Sequence, residues 1–199
     1  APRTAAATPS RAPASQPASR PANEVRLFGL SAPADAVVYV VDCSGSMRRH
    51  LDAAGKELLE SVGRLSDRQE FHVVLSGPGP LLQNAPGRLV PATPEQKHGL
   101  QRFLERVQPA AAGRTDPTVA LGRAFNALRR AEGDRLVFLL TDGLFRDAEQ
   151  VLQTVRLNRR RQEVVLHVCL FGEAPPEAEA AARRLASETG GKCERAAGP

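Results

Sequence analysis

Four apolar runs divide the sequence: Val37-Val38-Tyr39-Val40-Val41, Phe71-His72-Val73-Val74-Leu75, Leu136-Val137-Phe138-Leu139-Leu140 and Val164-Val165-Leu166-His167-Val168-Cys169-Leu170-Phe171. Each is short for a helix, and none alternates apolar with polar as a strand with one wet face would. They read as strands buried on both faces of a parallel sheet. The stretches between them carry helical spacing. Leu51, Ala54, Leu58 and Val62 predict a helix from Arg49 to Leu65, and Val119, Leu121, Ala124 and Leu128 predict another from Pro117 to Arg130. Thr93-Pro94-Glu95-Gln96 offers a hydroxyl cap followed by proline at the first helical position. Further helices fit Asp147 to Arg160 and Pro176 to Thr189, ahead of a last short strand, Lys192 to Arg195. A short strand, Glu24 to Phe28, precedes the first core strand. Beyond the Gly77-Pro78-Gly79-Pro80 break, Leu81-Leu82 and Arg88-Leu89-Val90 fit a hairpin-like edge. This alternation predicts a three-layer α/β domain, doubly wound around a mostly parallel central sheet with helices on both faces.

Composition separates one end from the rest. Residues 1–23 are mainly Ala, Pro and Ser, with Arg3, Arg11 and Arg20 their only charges, and cannot bury enough apolar surface to offset the entropy of ordering. They read as a disordered tether, leaving 24–199 as one domain. The 42% apolar content of the 199-residue chain is enough for its core. No run approaches the roughly 18 apolar residues of a membrane-spanning helix, and no signal-peptide pattern is present, so direct membrane insertion is not expected. The absence of an initial Met fits a segment cut from a longer protein.

The formal charge of +5 raises the question of nucleic acid, which its distribution answers in the negative. Three arginines lie in the tether, and the densest run, Arg159-Arg160-Arg161, falls where a helix should end and its dipole favours cations. At 4% aromatic content, base stacking has little to work with. Three cysteines fit neither a disulfide framework nor a zinc site. Cys169 and Cys193 lie on strands expected side by side, where a bridge is conceivable, although buried free thiols are the commoner outcome. His50, His72, His98 and His167 lack zinc-site spacing and read as structural or surface residues.

The chemistry concentrates where the first core run ends. In Asp42-Cys43-Ser44-Gly45-Ser46-Met47, extended geometry sends Asp42, Ser44 and Ser46 to one side, and Gly45 lets the chain turn toward the next helix. Two later strand-to-helix turns, Gly113-Arg114-Thr115-Asp116 and Thr141-Asp142-Gly143, offer oxygens in the same setting, at the strand ends where open α/β sheets form crevices. Hydroxyls and carboxylates together suit a hard divalent cation. Ser44, Ser46 or Thr115 taken singly would more ordinarily cap a helix, and Asp142-Gly143 a turn. Three such loops favour a shared ion.

Asp42-x-Ser44-x-Ser46, Thr115 and Asp142, in that order, resemble the metal-ion-dependent adhesion site, or MIDAS, of von Willebrand factor A (VWA) domains of the bacterial type. Gly113-x-Thr115 with the helix after it, Leu136 to Gly143, and Leu185 to Lys192 extend the resemblance over residues 24 to 196. It implies a Rossmann-like VWA fold with one antiparallel edge strand, and Mg2+ as cofactor, with Mn2+ or Ca2+ possible in its place. Ser44, Ser46 and Thr115 would touch the ion directly or nearly so, and Asp42 and Asp142 often through water. Gly45, Asp116 and Gly143 would support them. The implied function is non-enzymatic: adhesion or assembly through a partner protein whose Asp or Glu carboxylate completes the coordination. Similar layouts suggest a domain tethered at the extracytoplasmic face of a bacterial membrane. The chain departs from the family in ending without the further helix that couples the site to distant surfaces in some members.

Two other readings compete. The metal site could be vestigial in a structural or assembly domain. Alternatively, Cys43 followed by Arg49 matches the spacing of a cysteine phosphatase loop, with Asp116 as general acid; Asp42 beside the thiol and the scarcity of glycine in the loop oppose that chemistry.

Overall fold

A computed structural model describes residues 23–107 and 116–196. Residues 1–22, all of the expected tether but its last residue, and Gly113 to Thr115 lie outside the described residues. Along the chain the elements are β1 (Glu24–Leu27), β2 (Leu30–Pro33), β3 (Ala36–Asp42), a 3-10 turn (Ser46–His50), α1 (Leu51–Arg64), β4 (Glu70–Ser76), β5 (Leu82–Gln83), β6 (Val90–Pro91), α2 (Pro94–Glu105), α3 (Pro117–Leu128), β7 (Arg135–Thr141), α4 (Ala148–Arg159), β8 (Val165–Leu170), α5 (Pro176–Ser187) and β9 (Cys193–Arg195).

The four apolar runs form the centre of one sheet, ordered β5-β4-β3-β7-β8-β9, with β3, β4, β7, β8 and β9 parallel. All seven residues of β3 are buried, as a strand covered on both faces requires. One face packs under α1 and α2 through Tyr39, Leu58, Phe71, Leu100 and Phe138, among others. The opposite face packs under α3, α4 and α5 through Val38, Val40, Phe125, Val151 and Leu185. The rings of Tyr39 and Phe138 stack 5.6 Å apart, and the Tyr39 hydroxyl reaches Ser61 on the buried side of α1 at 2.8 Å. α2 starts as its sequence predicts: Thr93 accepts from the Gln96 N–H, with Pro94 at the first helical position. No helix among the described residues is long and apolar enough to cross a membrane.

One expectation needs correction. Leu81-Leu82 and Arg88-Leu89-Val90 do not pair with each other. β5 and β6 are separate two-residue segments, each antiparallel to β4, and together they make the antiparallel edge. The Asn84 side chain takes the Val73 N–H at 2.8 Å, a place an edge strand's carbonyl would otherwise fill, and Gln83 and Asn84 both face His72. The short strand expected at Glu24–Phe28 is present as β1, apart from the main sheet. β1 pairs with β2 in a two-stranded sheet of its own, which lays Leu27 and Leu30 into the α1 side of the core. Cys169 and Cys193 are both free, the commoner of the two outcomes open from sequence. Cys193 lies opposite Val168 in the register, which puts Cys169 on the α1 face and Cys193 on the other.

The winding positions the site. From β3 the chain passes through α1 to β4 on one flank, and from β7 through α4 to β8 on the other. β3 and β7 are neighbours whose connections leave in opposite directions, so a crevice opens at their C-terminal ends, at Asp42 and Thr141.

Candidate metal centre

Asp42 ends β3, and both its carboxylate oxygens are engaged. Oδ1 accepts from the Ser44 N–H at 2.9 Å, and Oδ2 accepts from the Thr141 hydroxyl across the switch point at 3.0 Å. The first bond is the Asx turn that lets the chain leave the strand. The second ties the first loop to the third and fixes the carboxylate's orientation from a neighbouring strand. Thr141 also accepts from the Gly143 N–H at 3.1 Å, so one buried hydroxyl organises two loops.

Ser44 and Ser46 do not cap a helix. Neither the 3-10 turn nor α1 has a side-chain cap; the two hydroxyls meet each other at 3.0 Å instead, with Ser44 buried and Ser46 exposed. The capping explanation of the two serines therefore fails. Asp142 is buried at 8% exposure, its Oδ1 accepts from the Leu144 N–H at 3.0 Å, and its Oδ2 is buried with no hydrogen-bond partner among the described residues. A buried carboxylate oxygen without a donor is costly, and a cation or its water shell is the usual counterpart of such a group. Gly143 takes φ +78, a left-handed conformation that favours glycine in this tight turn.

Of the residues anticipated from sequence, Asp42, Ser44, Ser46 and Asp142 thus lie on the two loops at the switch point, with Gly45 and Gly143 in their turns. Asp116 is the N-cap of α3, accepting from the Thr118 N–H at 2.9 Å. Sequence reasoning assigned no role to Thr141, although a hydroxyl residue closing a buried strand beside Asp142 was the available signal. Among the described residues no three His, Cys, Asp or Glu side chains gather as a metal cluster, so a cation here would depend on hydroxyl donors, which suits hard ions rather than zinc-type ligation.

The family model of the von Willebrand factor type A domain matches residues 35–194. The chain belongs to that family. Solved structures agree in fold. A von Willebrand factor type A protein from Catenulispora acidiphila superposes with a TM-score of 0.67 at 22% identity, over 83% of this chain and 39% of that one. The manganese-loaded TRAP protein of Plasmodium vivax does so at 0.59 and 20% identity, over 76% of this chain and 62% of that one. A proximal thread matrix protein of the mussel byssus, with a zinc-occupied MIDAS motif, gives 0.60 and 18%, over 81% and 41%. This chain therefore spans less than two thirds of the length of each. No curated protein matches the sequence.

In this VWA domain Cys43 is unsuited to nucleophilic chemistry. It is buried, with its Sγ facing the Val41 carbonyl, and burial, followed by the charge of Asp42, pushes its thiol up to about 12. The thiolate that a phosphatase loop requires is thereby disfavoured. Arg49 points to solvent from the 3-10 turn.

Proposed function

We propose that this VWA domain is a non-enzymatic protein-binding module whose MIDAS takes Mg2+ or Mn2+ at Asp42, Ser44, Ser46, Thr115 and Asp142 and captures an acidic side chain of a partner. When bound, the cation would supply a coordination position for the partner's carboxylate. The chain's own residues do the rest. Thr141 and the Ser44 N–H hold the Asp42 carboxylate in one orientation. Ser44 and Ser46 keep two hydroxyl oxygens together at the mouth of the crevice, and Asp142 presents a buried oxygen that no donor of the described residues satisfies. That orphaned oxygen, beside two serines that cap nothing, is the observation that carries the reading. The metal-loaded structures of the same fold support it as precedents. The test is paramagnetic: substoichiometric Mn2+ should broaden the amide signals of Ser44 to Met47 and Asp142 to Leu144 ahead of all others. Broadening elsewhere, with these signals untouched, would refute the assignment.

A further inference from the structure

The first metal loop runs directly into the 3-10 turn, Ser46–His50, and that turn has no side-chain cap. Its two buried residues, Met47 and His50, hold it down instead. Met47 joins the core on the α1 face, and the His50 ring lies against Phe171 with centroids 5.6 Å apart. Phe171 follows β8 and is itself buried. Its N–H donates to the Thr141 carbonyl at 2.9 Å, and the Thr141 hydroxyl is the group that orients Asp42. One residue thus supports both loops, the first through its ring and the third through its backbone.

Phe171 has a second aromatic neighbour. The Phe28 ring meets it edge-on at 5.1 Å, from the turn of the β1–β2 hairpin. Phe28 has φ of 46°, and among the described residues it is the one non-glycine with positive φ. A bulky side chain in the left-handed region is strained, and such strain persists where surrounding contacts enforce it, often beside a functional site. Two contacts enforce it here: the Phe171 ring, and Glu57 on α1, whose Oε1 accepts from the Phe28 N–H at 3.3 Å. Asparagine would suit this turn with less strain, so the turn alone does not account for phenylalanine. Nor does anchoring of the hairpin, which Leu27 and Leu30 already supply from the core.

Resting on the metal-dependent reading above, we infer that Phe28 is a positioning residue for the metal site. Its ring backs Phe171 against His50, and so holds the 3-10 turn in the arrangement that keeps the Ser44 and Ser46 hydroxyls together. The N-terminal hairpin, which pairs with no strand of the main sheet, thereby becomes part of the support of a site at the strand ends. Loosening that support lowers the fraction of chains ready to take the cation, and the apparent Kd rises by the inverse of that fraction. Loss of one aromatic pair corresponds to a rise of roughly two- to tenfold.

Mn2+ titrations of wild type, Phe28→Asn and Phe28→Tyr, each with its urea midpoint, test this. Phe28→Asn creates an Asn-Gly turn that favours the hairpin while removing the ring, and Phe28→Tyr keeps the ring. The expected result is a Kd roughly two- to tenfold weaker in folded Phe28→Asn and within about twofold of wild type in Phe28→Tyr. A purely structural role would move the urea midpoint and leave the Kd of the folded domain unchanged. Wild-type affinity in Phe28→Asn, or equal weakening in both variants, would overturn the inference and leave the metal site standing. Should Phe28→Asn not fold, Phe28→Leu takes its place under the same outcomes, since it removes the ring without altering the turn's strain. No Mn2+ binding by the wild type would overturn both this inference and the metal-dependent reading.

Discussion

Replacing Asp142 by Asn should make the metal-free domain more stable while removing its response to metal. The substitution keeps the bond that matters locally, because the amide oxygen can accept from the Leu144 N–H as Oδ1 does at 3.0 Å. It removes a charge from a residue 8% exposed whose other oxygen meets no donor among the described residues. An unsatisfied buried polar group costs about 1–3 kcal/mol, more when charged, and a neutral amide is easier to bury than a carboxylate. A net gain of about 1–2 kcal/mol is expected, which for a domain of this size raises Tm by about 2–8 °C. The wild type should instead gain stability from Mg2+, by about 2.7 kcal/mol at a hundredfold excess over Kd. Far-UV circular dichroism melts of both proteins, in EDTA and in excess Mg2+, read the two effects separately. A variant less stable than wild type in EDTA, or one with an undiminished Mg2+ shift, would refute the argument that Asp142 is held at a cost for the cation.

The other predictions address the scaffold. Tyr39→Phe leaves the buried Ser61 hydroxyl without its 2.8 Å partner and should lose about 1–3 kcal/mol in urea unfolding, part of which an added Ser61→Ala restores; an unchanged midpoint would count against the pair. Gly191→Ala would drive a Cβ into the Leu166 carbonyl and should cost about 3 kcal/mol or more. Gly190→Ala, at φ +75 in open space, should cost about 1–2 kcal/mol, and a reversed order would contradict the packing. Burial, the largest influence on both, lowers the pKa values of His72 and His167 below the free value of 6.5, so the unfolded chain takes up protons first. Their contribution is complete above pH 6.5 and is lost as pH falls from there toward the folded values. The urea midpoint should therefore drop between about pH 7.5 and about pH 5, and drop less in His72→Gln; a midpoint that rises on acidification would contradict this.

Most of the sheet was legible because strands covered on both faces must be continuously apolar, and β3, β4, β7 and β8 are. The β1–β2 pair was not. Its turn is Phe28-Gly29, with φ of 46° and 77°, and a phenylalanine in the left-handed region carries none of the Asn-Gly signal that announces such hairpins. Phe28 tolerates that conformation where its ring packs edge-on against Phe171 at 5.1 Å. β5 and β6 were misjudged because side chains, not a turn, decide their pairing: Asn84 replaces a backbone partner of Val73. At the site, Asp42, Ser44, Ser46 and Asp142 were visible as oxygens at strand ends. Thr141 was not, since its part depends on the β3–β7 adjacency that brings its hydroxyl to Asp42, a contact 99 residues apart in sequence. The capping role of Asp116 is local, and the Pro117 that follows it could have revealed it.

The most direct test of the account is isothermal titration of Mg2+ and Mn2+ into chelator-treated protein, beside an Asp42→Ala/Ser44→Ala variant whose fold is checked by far-UV circular dichroism. The account predicts saturable binding at one site per wild-type chain and none in the folded variant. Absence of binding in the wild type, or binding of equal strength in the variant, would contradict it.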